Sequence, residues 1–309
     1  ADARGGSNFG DRRRDDERFV KPMSIWHAIV LGIVQGLTEF LPISSSGHLE
    51  IVPWLFNWND FDSQSTAKAF DTALHLGTLV SVLVYLRAEL GGYLRQGLQV
   101  VVRRKANDAP TIDRATGRRA WFLVASALPA GVVGAVFEDS ITDRLGTPVL
   151  IAMSLSGFGL LLVWADRRAG ATPGQRDVDG LTLRDALLIG SAQILALNPG
   201  TSRSGITITA ARLGGFSREA AARLSFLMSV PIIGGAVAFK FAQLVRDGMP
   251  EGLLVPMIVG IASSGVAGWF AMWSMVRLVR TKSFSPYVVY RVLLGSAVLL
   301  IVFSQLRPG

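Results

Sequence analysis

From Gly252 to Val276 the chain runs 25 residues without a charge, and Ala120–Phe137 and Leu145–Ala165 do the same. About 20 apolar residues are what a helix needs to cross roughly 30 Å of hydrocarbon. Inside lipid every backbone N–H and C=O must be satisfied within the segment, so such runs are helices; a β-barrel would show short alternating strands instead. Half of the 309 residues are hydrophobic and only 17% are charged, below the roughly one quarter usual for soluble domains. The sequence is therefore that of an all-α integral membrane protein. A net charge of +8 would suit nucleic acid if the basic residues shared a soluble face with aromatics. They fall in loops between apolar spans, so the partners expected are membrane lipids and no nucleic acid. There is no cysteine, hence no disulfide, and any metal must use oxygen or imidazole ligands.

Six crossings are expected near 70–86, 120–137, 146–165, 221–241, 252–276 and 285–306. Two further apolar stretches, 24–56 and 185–215, are interrupted by polar motifs: "QGLTEFLPISSSGHL" from Gln35 and "QILALNPGTSRSGITIT" from Gln193. Each holds Gly-x-x-Gln (Gly32–Gln35, Gly190–Gln193), a proline (Pro42, Pro199) and a serine-rich turn closing on Gly47 or Gly205, an internal repeat of about 158 residues. Proline breaks a helix and the Ser/Gly cluster ends it, so each motif is read as helix, break, helix. Counting basic residues decides whether these segments cross. With both motifs re-entrant, the loops 87–119, 166–184 and 277–283 share one side and hold fifteen Lys/Arg, against three in 138–146, 242–251 and 307–309. The basic side is cytoplasmic by the positive-inside rule. Three crossings per half then invert the second half relative to the first, giving an inverted-topology repeat of six transmembrane helices plus two re-entrant helix-break-helix hairpins.

Residues 1–22 are polar and of mixed charge and are expected to be a disordered tail. Met23 reads as a natural start, and nothing resembles a cleavable signal peptide. Residues 23–309 form a single membrane domain: a first repeat over about 23–165, a cytoplasmic loop 166–184 and a second repeat over about 185–309. Gly32 and Gly36 have the spacing of close helix packing within or between chains, which leaves room for a homodimer. Trp54, Trp58 and Trp121 read as headgroup-level anchors and His27 as interfacial. Arg291, inside the last span, is expected to snorkel to the surface.

Non-helical polar backbone is tolerated at membrane depth only where it is buried in protein or lines a wet cavity, so the two broken tips are expected to meet near the midplane. Arg203 is the sharpest signal there. A central arginine costs about 2.5 to 3.5 kcal/mol on insertion scales and needs a partner. That partner is an anion bound with the hydroxyls of Ser202, Ser204 and Thr207 and a helix N-terminus, or it is Glu39 in a buried pair. Glu39 lies one turn after Gln35, and carboxylate plus amide oxygen suits a hard divalent cation, Mg²⁺ or Ca²⁺. His48 sits within four residues of Ser44, Ser45 and Ser46, a juxtaposition that permits general-base activation of a hydroxyl or of water. His75, in the first crossing, either faces the same cavity or bonds a neighbouring helix.

At these residues the sequence resembles the undecaprenyl-diphosphate phosphatase family, the bacitracin-resistance membrane lipid phosphatases. "QGLTEFLPISSSGH" fits its (E/Q)xxxE pattern, with Gln at position 35, and "PGTSRSGIT" fits its PGxSRSxxT pattern. The resemblance implies removal of the terminal phosphate from a C55 polyprenyl diphosphate with a divalent cation assisting, in the bacterial cell membrane, at a site opening to the extracytoplasmic face. It implies Glu39 as the metal-associated acid with Gln35 beside it, Ser45 as nucleophile, His48 as the motif histidine, and Ser202, Arg203, Ser204 and Thr207 as the phosphate-binding group; Ser44 and Ser46 are read as substrate-binding with them. The alternative reading is a transporter of polyprenyl phosphate lipid, because inverted repeats with broken helices suit alternating access.

Overall fold

Polar residues at the helix ends set where each apolar run begins. The computed structural model describes residues 23–61, 63–102, 113–171, 174–248 and 252–307, which fold into α-helices with no β-strand among them. In order these are α1 (Ile25–Phe40), α2 (Ser45–Phe56), α3 (Gln64–Tyr85), α4 (Arg87–Val102), α5 (Arg114–Ser126), α6 (Leu128–Leu145), α7 (Pro148–Gly170), α8 (Leu183–Ala192), α9 (Arg203–Leu213), α10 (Arg218–Asp247), α11 (Leu254–Val279) and α12 (Ser285–Phe303). Ser63, Thr147 and Ser217 cap α3, α7 and α10 by accepting a backbone N–H three residues on, and Thr182 forms a reciprocal capping box with Asp185 on α8. Pro129, which lacks an N–H, accounts for the break between α5 and α6 at Ala127.

Among the described residues six stretches are long and apolar enough to cross a membrane: Thr66–Tyr85, Arg114–Phe137, Pro148–Gly170, Arg218–Arg246, Leu254–Val279 and Ser285–Phe303. The chain is a multi-pass membrane protein. The expected loops are shorter than the sequence suggests: α6 runs to Leu145, α10 to Asp247, and 87–119 contains the whole of α4. Helix α4 carries Arg87, Glu89 and Arg95 and so has no long apolar run, yet it buries Tyr93, Gln96 and Gly97 against α5. Gln96 accepts the backbone N–H of Asp113 at 3.0 Å, and Trp121 donates its indole N–H to the Gly97 carbonyl at 3.1 Å. The 1–22 tail lies outside the described residues.

Helices α3 and α10, about 158 residues apart in sequence, pack on each other, as do α7 and α12, while α1 packs on α11 and α8 on α5. The glycine of each Gly-x-x-Gln permits that approach. A Cβ on Gly32 would stand 2.6 Å from the Gly260 carbonyl oxygen, one on Gly36 would stand 2.6 Å from Ala267 Cβ, and one on Gly190 would run into the Ser126 carbonyl. The small-residue seam of α1 is thus filled by α11 of the same chain. Gly32→Ala is expected to cost about 1–3 kcal/mol by overpacking, read as a lower melting temperature in detergent. An unchanged melting temperature would contradict this packing.

At one end of the bundle Asp166, 1% exposed, accepts from Arg212 Nε at 2.9 Å and from Arg218 Nε at 2.9 Å, tying α7, α9 and α10 together. Arg176 stacks its guanidinium 4.3 Å over the Phe216 ring and donates to Asp185, closing the loop between α7 and α8 onto the turn after α9. These ties hold the second broken helix from behind.

Candidate active site

The two serine-rich turns are built alike. Ser44 has φ 77° and ψ 97°, Ser202 φ 75° and ψ 113°, a region that non-glycine residues rarely occupy and that costs of order 1–3 kcal/mol. Each accepts the backbone N–H of the glycine three residues on, Gly47 or Gly205, and each hydroxyl lies beside the one two residues later, Ser46 at 3.4 Å or Ser204 at 3.2 Å. The same backbone geometry thus recurs 158 residues apart, at the serine turn of each motif. It also starts two helices, α2 and α9, whose first-turn N–H groups carry partial positive charge where the tips meet.

Arg291 holds the tips together. Contrary to the snorkel expectation it is 0% exposed, and it donates from Nη1 to the Pro42 carbonyl at 3.1 Å and from Nη2 to those of Gly200 and Thr201 at 3.0 Å each. Its Nε reaches the Leu155 carbonyl at 2.8 Å. Carbonyls freed by the broken helices need donors at membrane depth, and a guanidinium supplies five; that satisfaction keeps the charge inward. Ser204 adds a bond across the junction, donating to the Leu41 carbonyl at 2.9 Å, and the Phe40 and Phe226 rings meet edge to face at 5.6 Å.

Between the tips Glu39, 5% exposed, gathers the chemistry. Its Oε1 accepts from Arg203 Nε and Nη2, both at 3.1 Å, and its Oε2 accepts from Ser45 Oγ at 2.6 Å and Gln35 Nε2 at 3.2 Å. His75 Nε2 stands 3.5 Å from Oε2. Arg203 Nη1 donates to the Ser225 carbonyl at 3.1 Å. The structure therefore brings Gln35, Glu39, Ser45 and Arg203 into one cluster, with Arg203 paired to Glu39, and places His75 beside them.

The remaining expected site residues face otherwise. His48 has Nδ1 2.6 Å from the Ser44 carbonyl and Nε2 2.7 Å from the Tyr290 hydroxyl. A carbonyl only accepts, so Nδ1 carries the hydrogen, and the neutral ring then accepts from Tyr290 at Nε2; neither bond is to Ser45. Thr207 donates to the Arg203 carbonyl at 2.7 Å, and Ser44 and Ser202 cap their helices. Ser46 is exposed. His27 stacks on Trp58 at 3.8 Å and bonds Asp60 at 2.6 Å, outside the cluster. Tyr290 and Ser225 were not singled out from the sequence, since a tyrosine at a span and a backbone carbonyl give no signal of their own.

Cation binding is testable against the donors present. Among the described residues no three His, Cys, Asp or Glu converge. Gln35 Oε1, however, is buried beside Glu39 without a partner, an oxygen donor available to a cation. One carboxylate and one amide oxygen fit a hard cation that keeps waters and takes phosphate oxygens, rather than a closed cage.

Apolar helices closed around a buried acid–arginine–serine cluster are the setting of a membrane-embedded enzyme. The chain belongs to the bacitracin resistance protein BacA family, whose profile matches residues 28–297. It is 44% identical over 286 residues to an undecaprenyl-diphosphatase of Geobacter metallireducens, covering 92% of this chain and 100% of that protein. It is 45% identical to one of Geobacter sulfurreducens, with the same coverage, and 42% identical to undecaprenyl-diphosphatase 2 of Stutzerimonas stutzeri over 91% of this chain and 99% of the relative.

Proposed function

We propose that the protein hydrolyses undecaprenyl diphosphate to undecaprenyl phosphate and inorganic phosphate, recycling the lipid carrier of cell-wall synthesis. The observation that carries this reading is the 2.6 Å bond from Ser45 Oγ to a Glu39 carboxylate whose other oxygen is held by Arg203. In the proposed path the terminal phosphate draws the Arg203 guanidinium from Glu39 onto its own oxygens, which leaves the carboxylate free to take the Ser45 proton. Ser45 Oγ then bonds to the terminal phosphorus as the bond to the bridging oxygen breaks, and the lipid leaves as its monophosphate with the proton returned from Glu39, which is again a carboxylate. Water next attacks the phosphoserine with Glu39 as base, restoring Ser45 and releasing phosphate.

His48 acts in this reading as a positioning residue, holding the strained Ser44 turn from which Ser45 projects. Gln35 and Glu39 would hold the divalent cation, which when bound neutralises charge on the phosphate oxygens. Ser202, Ser204 and Thr207 fix the phosphate-binding tip. Names carried by the relatives favour this hydrolase over a carrier. A carrier would release no phosphate, whereas the purified protein is expected to release it from undecaprenyl diphosphate in a reaction that a chelator suppresses. Absence of phosphate release would sink the reading.

The bacterial cell membrane is the proposed location, with the site opening to the extracytoplasmic face and the hairpins entering from opposite sides. The basic loops support this orientation. Ala115, exposed at the start of α5, is then cytoplasmic. In this cysteine-free chain Ala115→Cys should react with an impermeant maleimide only after permeabilisation. Labelling in intact cells would reverse the topology.

A further inference from the structure

We propose that His75 is a third protein ligand, with Gln35 and Glu39, for the divalent cation of the reaction just described, on which this inference rests. His75 Nδ1 lies 2.8 Å from the Asp71 carbonyl one turn back and must carry the hydrogen there. Nε2 then faces Glu39 Oε2 at 3.5 Å, the arrangement of a ligating imidazole anchored through its other nitrogen. In the neutral ring that nitrogen and the carboxylate oxygen are both acceptors, and a cation bound by both satisfies them.

Gln35 shows the same mismatch from the other side. Its amide nitrogen sits on Glu39 Oε2 at 3.2 Å while Oε1 is buried with no partner, on a residue 0% exposed. Rotating the amide by half a turn brings Oε1 to the carboxylate, which is favourable only with a cation shared between them. Imidazole nitrogen, carboxylate oxygen and amide oxygen then converge on one point. Waters and phosphate oxygens complete the set, as the reaction requires.

Access and symmetry agree. The His75 side chain is 31% exposed and the Glu39 side chain 4%, so the imidazole is the more accessible of the two. The residues 158 positions on from Gln35, Glu39 and His75 are Gln193, Leu197 and Ile233. The second repeat keeps the buried amide and lacks both acid and imidazole, so one repeat alone has the ligand set.

A nitrogen ligand raises affinity for Mn²⁺ relative to Ca²⁺, and Mn²⁺ is a usable spectroscopic probe. The chain has three histidines, so the assignment is resolvable. In the detergent-solubilised full chain loaded with Mn²⁺, pulsed electron paramagnetic resonance should show ¹⁴N modulation from a bound imidazole. His75→Gln should abolish it and weaken Mn²⁺ binding about 10–100-fold while changing Ca²⁺ affinity little, and His48→Gln and His27→Gln should retain it. No ¹⁴N coupling in the unsubstituted protein, or coupling that survives in His75→Gln, would overturn the ligand and leave an imidazolium paired with Glu39. Phosphate release measured on the same preparation separates the two readings. Release without His75 coupling refutes the ligand alone; coupling without release refutes the hydrolase.

Discussion

Arg203→Lys is expected to lose about a hundredfold in turnover, on the order of 3 kcal/mol of transition-state stabilisation, in a protein that still folds. Lysine keeps the charge that a merely structural ion pair would need. It cannot reproduce the planar fork, which here places Nε and Nη2 on Glu39 Oε1 while Nη1 is held by the Ser225 carbonyl. When phosphate replaces Glu39 as the acceptor, the same fork grips two of its oxygens with its orientation already set by Ser225. An ammonium on a flexible stem carries its donors on one nitrogen, with neither the planar fork nor the separate anchor. The check is phosphate release alongside thermal unfolding in detergent. If Arg203→Lys works at near-native rate, the guanidinium has no catalytic part; a structural pair would instead make Arg203→Ala the damaging change, through folding.

Glu39→Gln should be more severe, lowering turnover by roughly a thousandfold, within the range seen when a general base is lost. One substitution removes the acceptor of the Ser45 proton and the counter-charge of Arg203, whose side chain is only 13% exposed. It also removes the carboxylate beside Gln35, so the residual rate should respond weakly to added Mg²⁺ or Ca²⁺. Because a partly buried arginine then stands unpaired, the melting temperature should fall as well. Retention of a tenth of the turnover, or an unchanged cation response, would contradict the role given to this carboxylate.

Much of this arrangement is legible in the sequence because lipid imposes simple rules. Apolar length gives the six crossings, and Pro42 and Pro199 mark the helix breaks at which the tips meet. Arg203 and Glu39 announce themselves because ionisable groups are costly at depth. What escapes the sequence has physical reasons. Helix α4 is amphipathic and short, so a search for apolar length passes over it. Arg291 was expected to snorkel because its partners are backbone carbonyls, of Pro42, Leu155, Gly200 and Thr201, which have no sequence signature. His48 stands next to the serines in sequence, but adjacency does not fix direction: its ring bonds run to the Ser44 carbonyl and to Tyr290, 242 residues away. The acceptor that meets Ser45 is Glu39, across the proline break.

The central claim is that residues from the two broken hairpins work as one catalytic unit, and a double-mutant cycle tests it most directly. Phosphate release from undecaprenyl diphosphate would be measured for Glu39→Gln, Arg203→Lys and the double variant, with melting temperatures recorded for each. Residues of one unit are strongly non-additive, so the double variant is expected to be no slower than Glu39→Gln alone, about a thousandfold below the unsubstituted protein. A double variant slowed by the product of the two separate losses, on the order of a hundred-thousandfold, would mean that Glu39 and Arg203 act independently, and would contradict the account.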